Sequence, residues 1–130
     1  EKERHGAFHP GLKIAVKKGP AASGLYGAPK VWMEEAARAA AAEAGGELTI
    51  IAVRFGNVRA DDDPKRSEYP FYLSHRDCVH FIEHCLAAKK LPPFSIFFAI
   101  SENACNPFEL APAEKALSYS ARDGVPCPFA

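Results

Sequence analysis

Two nearly continuous apolar segments constrain the fold of this chain most strongly. LTIIAVRF spans residues 48–55, and FSIFFAI spans residues 94–100. Both are rich in β-branched or aromatic side chains, and neither alternates polar with apolar residues. This pattern is typical of strands buried on both faces of a parallel sheet. We therefore expect two such strands, and the bare edges of so small a sheet predict that further strands complete it.

Predicted helices flank both strands. Residues 27–44 are dominated by good helix formers, and Gly45-Gly46 follows them as a stop signal. A second helix is expected up to about residue 88, with Ser74 as its N-cap, and a short third helix over residues 112–117 opens with proline. The order helix, strand, helix, strand, helix predicts an α/β fold with a parallel sheet and crossover helices.

Composition argues against two classes of partner. The chain has 130 residues, 48% of them hydrophobic, and 16 basic residues balance 16 acidic ones. A chain without net charge attracts neither nucleic acid nor an anionic membrane through a long-range field. The first residues, EKERHGAFHPGL, lack the apolar stretch of a signal peptide, and no segment reaches the roughly eighteen apolar residues that span a bilayer. The expected location is the cytoplasm.

The sequence also predicts free cysteines and an N-terminal loop. The pattern of the cysteines contains no C-x-x-C pair and is too sparse for a disulfide scaffold, so we interpret all four as reduced, packed thiols: Cys78, Cys85, Cys105 and Cys127. Residues 1–25 are expected to form a loop, with a short extended piece from Leu12 to Val16.

Three motifs resemble known sites but have simpler explanations. The segment HFIEH, residues 80–84, matches the HxxEH pattern of zinc peptidases, HRD at residues 75–77 resembles a kinase motif, and residues 61–63 are three aspartates. The kinase motif lacks its companions, and the aspartates lack the alternating spacing of a calcium loop. The apolar stripe of the second helix predicts that both histidines face solvent; it consists of Val79, Ile82 and Leu86. We predict no metal site, and we expect Trp32 in the core.

One pair of residues carries a possible chemistry. Tyr26 precedes Lys30 by four residues at the start of the first helix, so both side chains lie on one helical face, about one turn apart. A free phenol has a pKa near ~10, and a neighbouring cation favours the phenolate, which makes the phenol a better base. The spacing alone is also compatible with two unrelated polar residues.

The surrounding segments point to a family. YGAPKVWMEE, followed by a strand and the turn RFGNV at residues 54–58, resembles the extended short-chain dehydrogenase/reductase family, in which a YxxxK helix leads into a strand and an Arg-x-x-Asn-Val turn. FHP, YLSHRDCVHFIEHCL and FSIFFAISENACNPFELAPAEKALSYSARD are similar, in the same order, to the C-terminal half of its uronate dehydrogenase-like members. The resemblance covers nearly the whole chain.

This resemblance implies the C-terminal part of a Rossmann-type sheet and NAD-dependent oxidation of a sugar acid at its C1 hydroxyl. Tyr26 would accept the proton, and Lys30 would assist it and hold the nicotinamide ribose. Asn57 would lie near both nicotinamide and substrate, and Arg66 would bind the substrate carboxylate, with Lys65 adjacent. A homodimer through the YxxxK helix is a further implication of the family.

The chain also departs from the family pattern. It contains no glycine-rich GxxGxxG turn, so the N-terminal dinucleotide-binding half is expected to be missing. Residues 1–130 are expected to form one partial domain. Its catalytic helix and substrate-binding part are expected in residues 26–130. EKERHGAF occupies the place of the catalytic serine, Ser23 is too close to Tyr26 to replace it, and Pro29 stands where serine is usual. The chain alone is thus expected to be inactive, as a truncated form or as one that associates with a missing N-terminal half. The alternatives are a non-catalytic α/β fragment that acts as a binding or assembly module, and a sugar-nucleotide epimerase/dehydratase.

Overall fold

The computed structural model describes residues 13–15 and 24–127 of the chain. It has an α/β fold, as predicted, and a 3-10 helix, Arg66–Phe71, lies between the first strand and the second α-helix. The regular elements are α1 (Gly27–Glu43), β1 (Ile50–Phe55), α2 (His75–Ala87), β2 (Phe94–Ala99) and α3 (Ala111–Leu117). Among the described residues, no helix is both long and apolar enough to cross a membrane.

Most of the predicted loop at residues 1–25 lies outside the described residues, as do Leu12 and Val16 at the ends of its predicted extended piece. Between them, Ile14 forms a parallel bridge with Phe108, which ties this segment to the turn before α3. The division of the chain into a loop and a catalytic part stays a prediction.

The two strands pair in parallel, with Ile50 opposite Phe94 and Phe55 opposite Ala99. The ladder is closed at its ends by hydrogen bonds from Ile50 N–H to the Pro93 carbonyl (2.8 Å) and from Gly56 N–H to the Ala99 carbonyl (2.9 Å). Within the described part of the chain, the sheet contains β1 and β2 alone, so β2 covers one edge of β1 and no described strand covers the other.

Helices lie on both faces of the sheet. On one face α1 packs over β2, where the Arg38 guanidinium lies 4.5 Å from the centre of the Phe94 ring. On the other face the core joins the sheet to α2 and α3; its buried members are Leu73, Phe81, Phe97, Ala99, Ala113, Leu117 and Tyr119. The expectation of full burial on both faces suits the second half of β2 but not β1, whose residues are half-buried and end on an exposed Phe55.

The orientation of α2 differs from the sequence expectation. Val79, Ile82 and Leu86 are exposed by 57%, 42% and 83%, while Phe81 is fully buried. The histidines expected in solvent turn inward instead: the rings of His80 and His84 lie 5.3 and 5.8 Å from that of Tyr119. Since Phe81, rather than the aliphatic stripe, fills the space above β2, the helix is rotated away from the orientation that the stripe predicts.

Two further expectations about single side chains are wrong. Trp32 is 71% exposed on α1 and does not enter the core. Cys105 and Cys127 form a disulfide, with a Cα–Cα distance of 5.0 Å, so only Cys78 and Cys85 are free thiols. Sequence could not reveal this pair because the two residues are 22 positions apart and the contact depends on how the chain returns after α3. The interpretation of all four cysteines as reduced is therefore wrong, and the cytoplasmic location stays a prediction.

A buried carboxylate fixes the segment after α3 to the start of α2. Ser74 caps α2 as predicted, since its hydroxyl accepts a hydrogen bond from Asp77 N–H (3.0 Å). The fully buried Asp77 accepts from the Ser101 hydroxyl (2.7 Å) and from the backbone N–H groups of Arg122 (2.8 Å) and Asp123 (3.1 Å). Every hydrogen bond reduces the cost of burying the charge, so this network holds the end of the described chain in place.

Candidate functional site

A cleft of about 810 Å³ runs along the junction of α1 and β1. Its walls are the first three turns of the helix, the whole strand and the turn that follows the strand. Tyr26 and Lys30 line it from the start of α1, and Asn57 lines it from the turn after β1. Tyr26 therefore lies at the carboxyl end of the strand, the end at which parallel α/β sheets bind ligands.

Tyr26 and Lys30 are in contact, as their spacing predicts. The Lys30 ammonium lies 4.9 Å from the centre of the Tyr26 ring, within the range of a cation–π interaction. Tyr26 directly precedes the first residue of α1 and is 83% exposed. The phenol is thus held beside a cation and is open to a ligand in the cleft.

Glu34 and Arg54 form an ion pair in the wall of the cleft that the sequence analysis did not identify. Arg54 donates from Nε and from Nη2 to the two carboxylate oxygens of Glu34, both at 2.8 Å. Only 23% of the Arg54 side chain and 15% of the Glu34 side chain are exposed. The pair joins α1 to β1 and so sets where Tyr26 and Lys30 lie relative to the end of the strand.

Because Glu34 pairs with Arg54, its carboxylate is not bonded to Lys30 in the same cleft. Glu34 lies one turn beyond Lys30, a spacing at which a lysine and a glutamate pair on a helix surface. Arg54 instead occupies both oxygens of Glu34, and the hydrogen bond to Glu34 raises the pKa of Arg54 against the opposing effect of burial. Two signals pointed to this pair: a single arginine inside an apolar strand, and a glutamate in register with Tyr26 and Lys30 on the helix.

The turn after β1 is fixed by its backbone. Asn57 N–H donates to the Phe71 carbonyl (2.7 Å), and the Asn57 carbonyl accepts from Leu73 N–H (3.1 Å). A Cβ at Gly56 would collide with the same Phe71 carbonyl, so this position requires glycine. The Asn57 side chain is consequently presented, exposed, at the mouth of the cleft.

The loop that follows the turn holds several charges near one another. Arg59 pairs with Asp61 (3.0 Å) and with Glu68 (3.2 Å), and the hydrogen bond from Arg59 lowers the pKa of Asp61. Asp62 accepts hydrogen bonds from the Tyr72 hydroxyl and from His75 N–H, both at 2.9 Å. Asp61 and Asp62, two of the three adjacent aspartates, are therefore bonded to residues of the loop and of the helix that follows it.

Arg66, the predicted carboxylate ligand, is exposed at the first residue of the 3-10 helix. It does not line the cleft of Tyr26 and Lys30, nor the adjoining pocket lined by Asn57, Arg59 and Glu68. The structure therefore brings together Tyr26, Lys30 and Asn57 and leaves Arg66 apart from them. Ser23, considered as a substitute for the family's serine, lies outside the described residues.

No protein-family model matches the sequence. The chain is 30% identical over 106 residues to the NAD-dependent glucose-6-phosphate dehydrogenase of Haloferax volcanii, a match that covers 80% of this chain and 39% of that protein.

Solved structures give the same result for the fold. Uronate dehydrogenase from Agrobacterium tumefaciens matches 91% of this chain with a TM-score of 0.74 at 22% identity, and glucuronic acid dehydrogenase from Chromohalobacter salexigens matches 87% with a TM-score of 0.74 at 18% identity. A mutant of the Agrobacterium enzyme, complexed with NAD, matches with a TM-score of 0.73. The chain spans about two fifths of the length of these proteins. The resemblance to this group of dehydrogenases is confirmed, and the fold is that of a part of them.

Proposed function

We propose that this chain is the catalytic and substrate-binding part of an NAD-dependent oxidoreductase that acts on the C1 hydroxyl of a sugar acid. The observation that carries the proposal is the meeting of Tyr26, Lys30 and Asn57 in one cleft at the carboxyl end of β1. The dehydrogenases with the same fold, two of which are named for uronate or glucuronic acid, support the reaction class.

In the proposed reaction Tyr26, as the phenolate, takes the proton from the C1 hydroxyl of the sugar. The C1–H bond breaks as the carbonyl of a lactone forms, so the substrate loses one proton and one hydride. Lys30, 4.9 Å from the ring centre, stabilises the phenolate by charge attraction. Asn57 supplies amide groups at the mouth of the cleft that orient the sugar.

NAD, when bound, would accept the hydride. The residues in the cleft suit the nicotinamide end of this cofactor, since Lys30 and Asn57 offer donors for ribose and amide groups beside an exposed phenol. The 130 residues contain no glycine-rich turn for the pyrophosphate. Binding of the whole cofactor is therefore proposed to need a further polypeptide segment, and the chain alone is proposed to be inactive.

Two anionic groups are candidates for the substrate, a carboxylate and a phosphate. Arg66 is the proposed partner of a uronate carboxylate because a guanidinium binds both carboxylate oxygens; since it does not line the cleft of Tyr26, it would meet a carboxylate that projects out of that cleft. A sugar phosphate is the second candidate, favoured by the relative that is named for glucose 6-phosphate.

The test mixes the chain with NAD and glucuronate, galacturonate or glucose 6-phosphate and follows absorbance at 340 nm. We expect no signal from the chain alone, and a signal when it is co-expressed with the part of the Agrobacterium enzyme that it does not span. A uronate signal at least tenfold above that of glucose 6-phosphate would support the sugar-acid assignment, and the reverse preference would support the sugar phosphate. No reduction of NAD by the assembled protein would favour the alternative of a non-catalytic binding or assembly module.

Association is part of this proposal in two forms. The chain either joins a polypeptide that supplies the dinucleotide-binding half or forms a homodimer through α1, on which Trp32 and Met33 are exposed by 71% and 62%. Sedimentation of the chain alone separates them, since only the homodimer assembles without a second polypeptide.

A further inference from the structure

Two histidines on α2 lie in contact with each other and take no part in the proposed reaction. His80 and His84 are about one helical turn apart, so their side chains lie on one face of the helix. Their ring centres are 4.5 Å apart, and the rings meet edge to face at an interplanar angle of 82°. This spacing on a helix is the one at which two imidazoles bind a single zinc ion. The two rings are therefore close enough to share one metal ion.

The Nδ1 atom of each ring lies beside an oxygen. That of His84 is 3.0 Å from the Leu117 carbonyl oxygen, and that of His80 is 4.0 Å from a carboxylate oxygen of Glu83. Because a carbonyl only accepts hydrogen bonds, the neutral His84 ring carries its proton on Nδ1 and keeps the lone pair on Nε2. The Glu83 carboxylate favours the same tautomer at His80. Metal-binding histidines commonly hold their second nitrogen against a carbonyl or carboxylate in this way, and the Nε2 atoms of both rings are left to bind the ion.

Tyr119, a member of the core, packs against both rings. The centre of its ring lies 5.3 Å from that of His80 and 5.8 Å from that of His84. The His80 side chain is still 14% exposed, and His84 is half-buried. Rings that are already packed lose little conformational freedom when they bind an ion, and their exposed parts give the ion access.

The charges near the pair are compatible with a bound cation. Besides His84, the groups whose charges act on His80 are Arg122, Glu83 and Asp77, one positive and two negative. Among the described residues, no third histidine, cysteine or carboxylate joins the pair in a metal-binding group, so water would complete the coordination. Zinc peptidases use three protein ligands, so the inference concerns binding of an ion and not peptide hydrolysis.

We propose that His80 and His84 bind a divalent transition-metal ion through their Nε2 atoms, with water as the remaining ligands. Imidazole suits Zn²⁺, Cu²⁺ and Ni²⁺, whereas Mg²⁺ and Ca²⁺ take oxygen ligands. Since His84 also contacts the carbonyl of Leu117, the last residue of α3, the ion fastens α2 to the end of α3. This site departs from the sequence-based expectation of no metal site, which placed both histidines in solvent. It does not depend on the proposed function.

Thermal unfolding of the chain in increasing concentrations of zinc chloride tests the proposal, with magnesium chloride as the control salt. A ligand that binds only the folded chain raises Tm, by about 10 °C at a free Zn²⁺ concentration about 100-fold above the dissociation constant measured by calorimetric titration. His80→Gln and His84→Gln should each lose this rise. The matched control is His9→Gln, because His5 and His9 have the same spacing in the sequence but lie outside the described residues. It should respond to Zn²⁺ as the wild type does.

Nuclear magnetic resonance of the ¹⁵N-labelled wild-type chain gives a second readout that does not require either variant to fold. Zn²⁺ should shift the Nε2 resonances of His80 and His84 together and leave those of His75 unchanged. The proposal is overturned if Zn²⁺ leaves Tm unchanged, if His80→Gln or His84→Gln keeps the full rise, or if His9→Gln loses it. Resonance shifts at only one of the two histidines, or at other histidines instead, would overturn it as well.

Discussion

Replacing Glu34 by alanine tests the way in which α1 is fixed to the strand. The substitution removes both 2.8 Å hydrogen bonds to Arg54 and leaves a guanidinium that is only 23% exposed without its carboxylate. Breaking one partner of a fully buried ion pair costs about 3–5 kcal/mol, whereas exposed pairs contribute less than about 1 kcal/mol. The partial exposure of this pair places the expected loss of unfolding free energy near 2 kcal/mol.

The measurement is thermal unfolding followed by circular dichroism. A loss of that size corresponds to a decrease in Tm of roughly 8 °C for a domain of this size. The matched control is Glu35→Ala on the same helix, which removes an exposed ion pair to Arg38 with an N–O distance of 3.5 Å and should change Tm by less than about 2 °C. Equal changes in the two variants would refute the conclusion that the Glu34–Arg54 pair holds α1 in place.

Three other predictions concern the stability of the fold. The hydrogen bond from Arg76 holds the pKa of Asp123 below its usual range. The ionised Asp123 therefore stabilises the fold above about pH 4, and this stabilisation is lost as the pH falls through the pKa of Asp123 in the folded protein. Acid unfolding of Asp123→Asn should depend less on pH between about 2 and 4 than that of the wild type. Gly56→Ala should lower Tm, since a Cβ there meets a neighbouring backbone carbonyl, and unchanged unfolding would contradict this. Cys127→Ser opens a loop of 22 residues closed by Cys105 and should cost about 3 kcal/mol, measurable in urea, with reduced wild-type protein as the comparison.

Local features of this chain were predictable because they depend on residues close in sequence. The Tyr26–Lys30 contact follows from a spacing of one helical turn, and the Ser74 cap from a hydroxyl residue directly before a helical pattern. The two strands followed from uninterrupted apolar composition, and their parallel pairing from the helix between them.

Features that depend on the packed fold were not predictable in the same way. Apolar residues lie on two faces of α2: Val79, Ile82 and Leu86 on one, and Phe81 on the other. Phe81 enters the core and Leu86 stays outside because Phe81 lies above β2 in the folded chain. The Glu34–Arg54 pair and the Cys105–Cys127 disulfide join residues 20 and 22 positions apart, and their contacts arise only once helix, strand and terminal segment are in place.

The role of Tyr26 is tested most directly by comparing Tyr26→Phe with Tyr69→Phe in the assembled protein, with NAD and a uronate as substrates. If the phenol beside Lys30 accepts the proton, Tyr26→Phe lowers kcat by about 100-fold or more, because general base catalysis contributes at least that much, and Tyr69→Phe leaves kcat unchanged. A Tyr26→Phe variant that reduces NAD as fast as the wild-type assembly would contradict the account.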